Sequence, residues 1–201
     1  MKSKKKVFLT VLCAAALVVA SVLGTMAFLT STDDVENSFT VGNVNITLDE
    51  AKVDTAGDIV KDAARVDKNT YKLIPGHDYI KDPTIHVTGG SEDSWIFVKV
   101  ENGLEAIIDD TTDYPTIAKQ ISDLEWTALD GVTGVYYKSY TSQATDKDFV
   151  VFNNFKVKDD ANVNDAEANY TAQKIKVTGY AVQKDGFDTA KAAWDATFGS
   201  N

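Results

Sequence analysis

The pattern of apolar and polar positions along this chain changes character near residue 30. From Val7 to Leu23 apolar side chains follow one another almost without a break, behind Lys2, Lys4, Lys5 and Lys6. Beyond that stretch the dominant signal is a two-residue period. In Ser94–Glu101, Ile96, Val98 and Val100 share one face, while Trp95 and Phe97 take the other and give way to Lys99 and Glu101. Phe149–Val157 puts Phe149, Val151, Phe155 and Val157 in phase. Lys174–Val182 does the same with Ile175, Val177 and Ala181, opposite Lys174, Lys176 and Thr178. Successive side chains of a strand point to opposite faces, so this alternation predicts half-buried strands. Ile85 and Val87 predict a shorter strand after Pro83. Leu124–Leu129 and Gly134–Thr141 predict a hairpin around Asp130-Gly131.

Phe39–Leu48 alternates with a slip. Phe39 and Val41 share one parity, Val44, Ile46 and Leu48 the other, with Gly42-Asn43 at the switch. One strand bulged at Gly42-Asn43 accounts for the slip, and a bulged N-terminal strand is expected at a sheet edge. Two helices are predicted. Asp188 caps the last, running to about Thr197 with Ala190, Ala193, Trp194 and Thr197 on one stripe. Pro115 opens the other, with Ile117, Ile121 and Leu124 in helical register. Asp49–Asn69 is charged, lacks clean alternation and reads as a surface excursion. Six or more short strands with one or two short helices predict an all-β fold, an antiparallel two-sheet sandwich, to which both jelly-roll and immunoglobulin-like strand orders conform.

The lysine-headed apolar run ends in Gly24-Thr25-Met26-Ala27, small residues standing at the −3 and −1 positions of an export signal. Residues 1–27 therefore read as a signal peptide cut between Ala27 and Phe28, with 28–38 a flexible mature N-terminal segment and 39–201 the sandwich domain. The protein is expected to be secreted, extracellular or attached to the cell surface. An uncut leader of this length would instead anchor it in a membrane. Cleavage removes four of the 20 basic residues and none of the 30 acidic ones, leaving a net charge near −14. That charge repels nucleic acid and anionic lipid, which argues against both as partners. The one cysteine, Cys13, leaves with the leader, so the body must be stable without disulfides.

Candidate chemistry is sparse. His77 lies in the loop Pro75-Gly76-His77-Asp78, and His86 alternates out of phase with Ile85 and Val87. Neither belongs to a His-Glu-x-x-His motif. Asp160-Ala161-Asn162-Val163-Asn164 imitates the start of a calcium loop, but Asp165 and Thr171 stand where an EF-hand needs glycine and an acidic ligand. A looser calcium site there remains an alternative to a solvated loop, and no other cofactor is expected. There is no Gly-x-Ser-x-Gly elbow. Trp95, Trp126 and Trp194 read as core aromatics rather than a carbohydrate groove.

Several blocks together resemble a known family. Thr25-Met26-Ala27-Phe28-Leu29-Thr30, followed by Asn37-Ser38-Phe39-Thr40-Val41-Gly42, is similar to the junction of exported proteins processed by the SipW signal peptidase. Tyr71-Lys72-Leu73-Ile74-Pro75-Gly76, Lys81-Asp82-Pro83-Thr84-Ile85 and Ser91–Val100 resemble that family's Pro-Gly loop and central strands. Thr178–Gln183, Phe187-Asp188-Thr189-Ala190 and Ala193-Trp194 resemble its C-terminal end. The family is that of the TasA matrix protein and camelysin. The resemblance implies a jelly-roll-like protein of the cell surface or biofilm matrix. Its partners would be further copies of itself and other matrix components, after processing by a SipW-type signal peptidase. TasA-like members form fibres in which the mature N-terminal segment of one subunit completes the sheet of the next. The candidate donor residues here are Phe28, Leu29, Val35, Phe39 and Val41. Camelysin-like members are described as surface metallopeptidases, and a monomeric adhesin is a third alternative. No catalytic or metal-ligating residue transfers.

Overall fold

A computed structural model describes residues 30–32, 35–41, 43–163 and 174–199, the first two segments as backbone alone. The chain order begins β1 (Thr30–Thr32), β2 (Val35–Val41), β3 (Ile46–Asp49), β4 (Thr70–Lys72), β5 (Asp78–Ile80), β6 (Thr84–Val87) and β7 (Ser94–Asn102). Helix α1 (Ile117–Asp123), β8 (Thr127–Ala128), β9 (Val135–Tyr140), β10 (Lys147–Val150), β11 (Asn154–Lys156), β12 (Ile175–Gln183) and helix α2 (Ala190–Phe198) follow. A five-stranded sheet in the order β2-β12-β7-β9-β8 packs on a three-stranded sheet in the order β10-β6-β3. The fold is thus the all-β two-sheet sandwich that the alternation predicts.

The two sheets meet through the residues the two-residue period singled out. Ile96, Val98, Ile175 and Val177 of the larger sheet face Ile46, Leu48, Ile85, Val87 and Phe149 of the smaller, all buried in one cluster. Each such side chain contributes roughly 1.5–3 kcal/mol on leaving water, which lets a body without disulfides hold together. Gly179 of β12 lets the smaller sheet pack directly on its backbone. A Cβ there would lie 3.3 Å from Ile85 Cδ1 and 3.7 Å from Leu48 Cδ2.

The other face of the large sheet is also covered. Phe97, Val182 and Tyr180 meet α2 through Ala190, Ala193 and Trp194, with Trp194 5.2 Å from Phe97 and 5.3 Å from Tyr180 between ring centres. The N-cap of α2 is Thr189, whose hydroxyl accepts from Ala192 N–H at 3.1 Å, so Asp188 lies one residue outside the expected position. In α1 the cap is Thr116, accepting from Lys119 N–H, and Pro115 precedes the helix instead of opening it.

Two strand expectations need correction. Phe39–Leu48 is not one bulged strand: β2 belongs to the large sheet and β3 to the small one, so the two parities belong to strands of different sheets. Phe149–Val157 is broken into β10 and β11. These two pair with β6 and β5 in one continuous register, Lys147 opposite Val87 and Lys156 opposite Asp78. Pro83 has no N–H to donate and falls at the break. Gln120 of α1 fills the gap, its side chain accepting from Asn153 N–H and donating to the Asn154 carbonyl. The hairpin around Asp130-Gly131 is present, Thr127 opposite Tyr137, with Gly131 and Gly134 both at positive φ.

Candidate assembly edge

Strand β12 has unlike neighbours. On one side β7 runs antiparallel to it without interruption, from Ile175 opposite Asn102 to Gln183 opposite Ser94. On the other, β2 runs parallel, from Val35 opposite Val177 to Val41 opposite Val182. Between the pairs Glu36–Thr178 and Phe39–Tyr180, β2 advances one residue more than β12 does. That extra residue is a bulge at Asn37-Ser38, upstream of the Gly42-Asn43 position expected from sequence. Parallel pairing is slightly weaker per residue than antiparallel pairing, and a bulge interrupts its ladder. Strand β2 also ends the sheet: among the described residues no strand lies beyond it. A strand in that position is bonded on one side and presents unpaired main-chain groups on the other.

Ahead of β2, β1 pairs antiparallel with β4, Thr30 opposite Lys72 and Thr32 opposite Thr70. Much of the lead-in expected to be free at 28–38 is therefore paired with the body of the same chain. Of the candidate donor residues, Val35, Phe39 and Val41 lie in β2, opposite Val177, Tyr180 and Val182. Phe28 and Leu29 lie outside the described residues, as do Ala27 and the whole leader.

The histidines stand in separate settings. His77 Nε2 donates to the Ala56 carbonyl at 2.6 Å, and its ring meets Tyr79 edge-on at 4.8 Å. Burial pushes the Tyr79 phenol up to about 12, with its hydroxyl accepting from Ile74 N–H and donating to the Lys72 carbonyl. His86 bridges Asp148, 2.7 Å from Nδ1, and Asp49, 2.9 Å from Nε2. Burial alone would lower its pKa, but hydrogen bonds to the two carboxylates outweigh that and raise it. Arg65, the chain's one arginine, also bonds Asp49, reaches Asp82 at 2.8 Å, and donates to Thr84 Oγ1 at 3.1 Å. Among the described residues no group of three or more His, Cys, Asp or Glu side chains is arranged to hold a metal ion.

Asp160 and Asn162 of the calcium-like loop are described, but the loop continues into residues that are not. Trp126 and Trp194 are buried and Trp95 half-buried, with Trp126 Nε1 donating to the Val150 carbonyl. Trp126 and Trp194 are core residues, as expected, and Trp95 packs against the cluster that holds Trp194. A cleft of about 480 Å³ opens between β7, β9 and α1, bordered by Lys99, Glu101, Glu105, Ile117 and Tyr136. The Tyr136 phenol is raised there by burial and by Glu105.

One polar group escaped the sequence altogether. Asp49–Asn69 reads as a surface excursion, yet its ends are in the core: Glu50, Val53 and Asn69 are all buried. Glu50 Oε2 pairs with Lys81 Nζ at 2.7 Å, both side chains wholly inaccessible, and Glu50 Oε1 accepts from Asn69 Nδ2 at 2.9 Å. Asn69 Nδ2 also donates to the Ala51 carbonyl, while its Oδ1 accepts from Val53 N–H.

Comparison with protein-family models, curated proteins and solved structures finds no match to this chain.

Proposed function

We propose that this chain is a secreted component of the cell surface or extracellular matrix that self-associates by exchanging its N-terminal strand between copies. The observation that carries this is the position of β2: an end strand, parallel to its single neighbour β12 and interrupted by a bulge. If β2 leaves its own body, the edge of β12 is open along Val177–Val182, and the β2 of another copy supplies the same main-chain hydrogen bonds. The exchange is close to neutral in contacts, so concentration and the freedom of the mature N-terminus decide it. Cleavage after Ala27 frees that end. The resemblance to TasA-like proteins supports the same reading, with a SipW-type signal peptidase acting first and other matrix components as further partners.

A net charge near −14 opposes close stacking of copies, and mobile cations relieve it. Assembly should therefore rise with salt and with calcium. The test is electron microscopy and size-exclusion chromatography of the cleaved protein, with and without residues 28–41. The shortened chain should retain its β-sheet circular dichroism and form no filaments, and a peptide of residues 28–41 added to the intact protein should cap growth. Filaments unchanged by the deletion would rule the proposal out.

A further inference from the structure

The buried Glu50–Lys81–Asn69 group is more than an ion pair. One carboxylate holds a primary amine on one oxygen and a carboxamide nitrogen on the other, at 2.7 and 2.9 Å. The orientation of the Asn69 amide is fixed by its neighbours, since Val53 N–H can only donate and the Ala51 carbonyl can only accept. The carboxamide carbon is thus presented with its oxygen already in a hydrogen bond from backbone N–H at 3.0 Å. Water is kept out: Glu50 is 0 %, Lys81 1 % and Asn69 2 % exposed. The Tyr71 ring lies 5.9 Å from Lys81 Nζ, in an aromatic cluster with Tyr79 and Phe155.

A nucleophile, an acyl carbon, an oxyanion donor and a proton carrier touching both nitrogens are the parts of an acyl transfer. We propose that Lys81 and Asn69 become joined by an intramolecular isopeptide bond, with Glu50 as the catalytic residue. Glu50 takes a proton from Lys81 Nζ, and the neutral amine attacks Asn69 Cγ. The carbonyl electrons move onto Oδ1, held by Val53 N–H. As the tetrahedral centre collapses, Glu50 protonates Nδ2, the Cγ–Nδ2 bond breaks and ammonia leaves. The second proton lost by Nζ remains on Glu50, which ends as a neutral carboxylic acid beside the new amide. Atoms and charge balance without any co-reactant.

The environment favours product on two counts. Holding amine and amide on one carboxylate replaces an encounter by a fixed geometry. The reaction also removes both charges from an interior where keeping them is costly. The bond closes a ring from Asn69 to Lys81 through β4 and β5, tying the end of the excursion to the strand before Pro83. It supplies a covalent staple to a body that has no cysteine. It involves neither β2 nor its partner, so it stands or falls separately from strand exchange.

The test is mass spectrometry of the native protein, with its N-terminus sequenced so that the expected mass is known. The intact chain should be lighter than its sequence by one ammonia. After denaturation, trypsin should release Asn69–Lys72 joined through Lys81 to Leu73–Lys99, with no cleavage after Lys81. An intact mass equal to the sequence, or an ammonia loss that maps elsewhere, overturns the proposal. Glu50→Gln, folded by circular dichroism, should keep its full mass; cross-linking in that variant would exclude Glu50 as catalyst. Should that variant not fold, Asn69→Asp decides. It loses water in place of ammonia and must converge on the wild-type product mass, whereas an Asn69→Asp chain that keeps its water contradicts the mechanism.

Discussion

Glu50 and Lys81 lie 2.7 Å apart with neither side chain exposed to solvent. Both come from stretches of polar sequence, yet the sandwich places them side by side beneath the excursion. Removing one partner leaves the other charge buried without its main compensation. Glu50→Ala should therefore cost at least about 3–5 kcal/mol, since it also removes the catalyst of the proposed cross-link. Urea unfolding measures it directly. Replacing both, as Glu50→Leu with Lys81→Met, should recover the part of that loss owed to the buried charge, because none then remains to be solvated, and leave the part owed to the missing cross-link.

His86 makes stability depend on pH. Burial alone would lower its pKa, but hydrogen bonds to Asp49 and Asp148 raise it above its ordinary 6.5. A group whose folded pKa is raised stabilises the native state fully below 6.5, and the contribution disappears as pH rises through the folded value. Thermal midpoints should accordingly fall as pH is increased from about 6 upwards. In His86→Gln that slope should flatten.

Gly179 of β12 packs against Ile85 and Leu48 of the smaller sheet. A Val there would press against Ile85 and Leu48, at 3.3 and 3.7 Å from the Cβ alone. Overpacking of this kind costs roughly 1–3 kcal/mol. Gly179→Val should lower the denaturation midpoint by that amount, and Ile85→Val in the same chain should restore part of it by making room.

The regular strands were legible because alternation is a direct imprint of a two-faced sheet. Ile96, Val98 and Val100 point where their spacing says they must. The change of sheet between β2 and β3 was not legible, since a bulge and a change of sheet leave the same phase slip; what separates them is which strand each half pairs with. The Glu50–Lys81–Asn69 group was hidden for another reason. Charged residues are almost never fully buried unless paired, and partners 31 residues apart in sequence leave no periodic trace. Strand exchange sits between these cases. The edge position of the N-terminal strand was anticipated, while its parallel pairing with β12 comes only from the register.

The most direct measurement of strand exchange uses a chain begun at Phe28, which lacks Cys13 and so carries no cysteine. Glu36 and Thr178 are register partners between β2 and β12. A Glu36→Cys chain mixed with a Thr178→Cys chain, assembled and then oxidised, can link these positions only between different copies. Strand exchange should give disulfide-linked heterodimers in the assembled fraction and none in dilute monomer. Assembled material in which the two chains remain unlinked would contradict it.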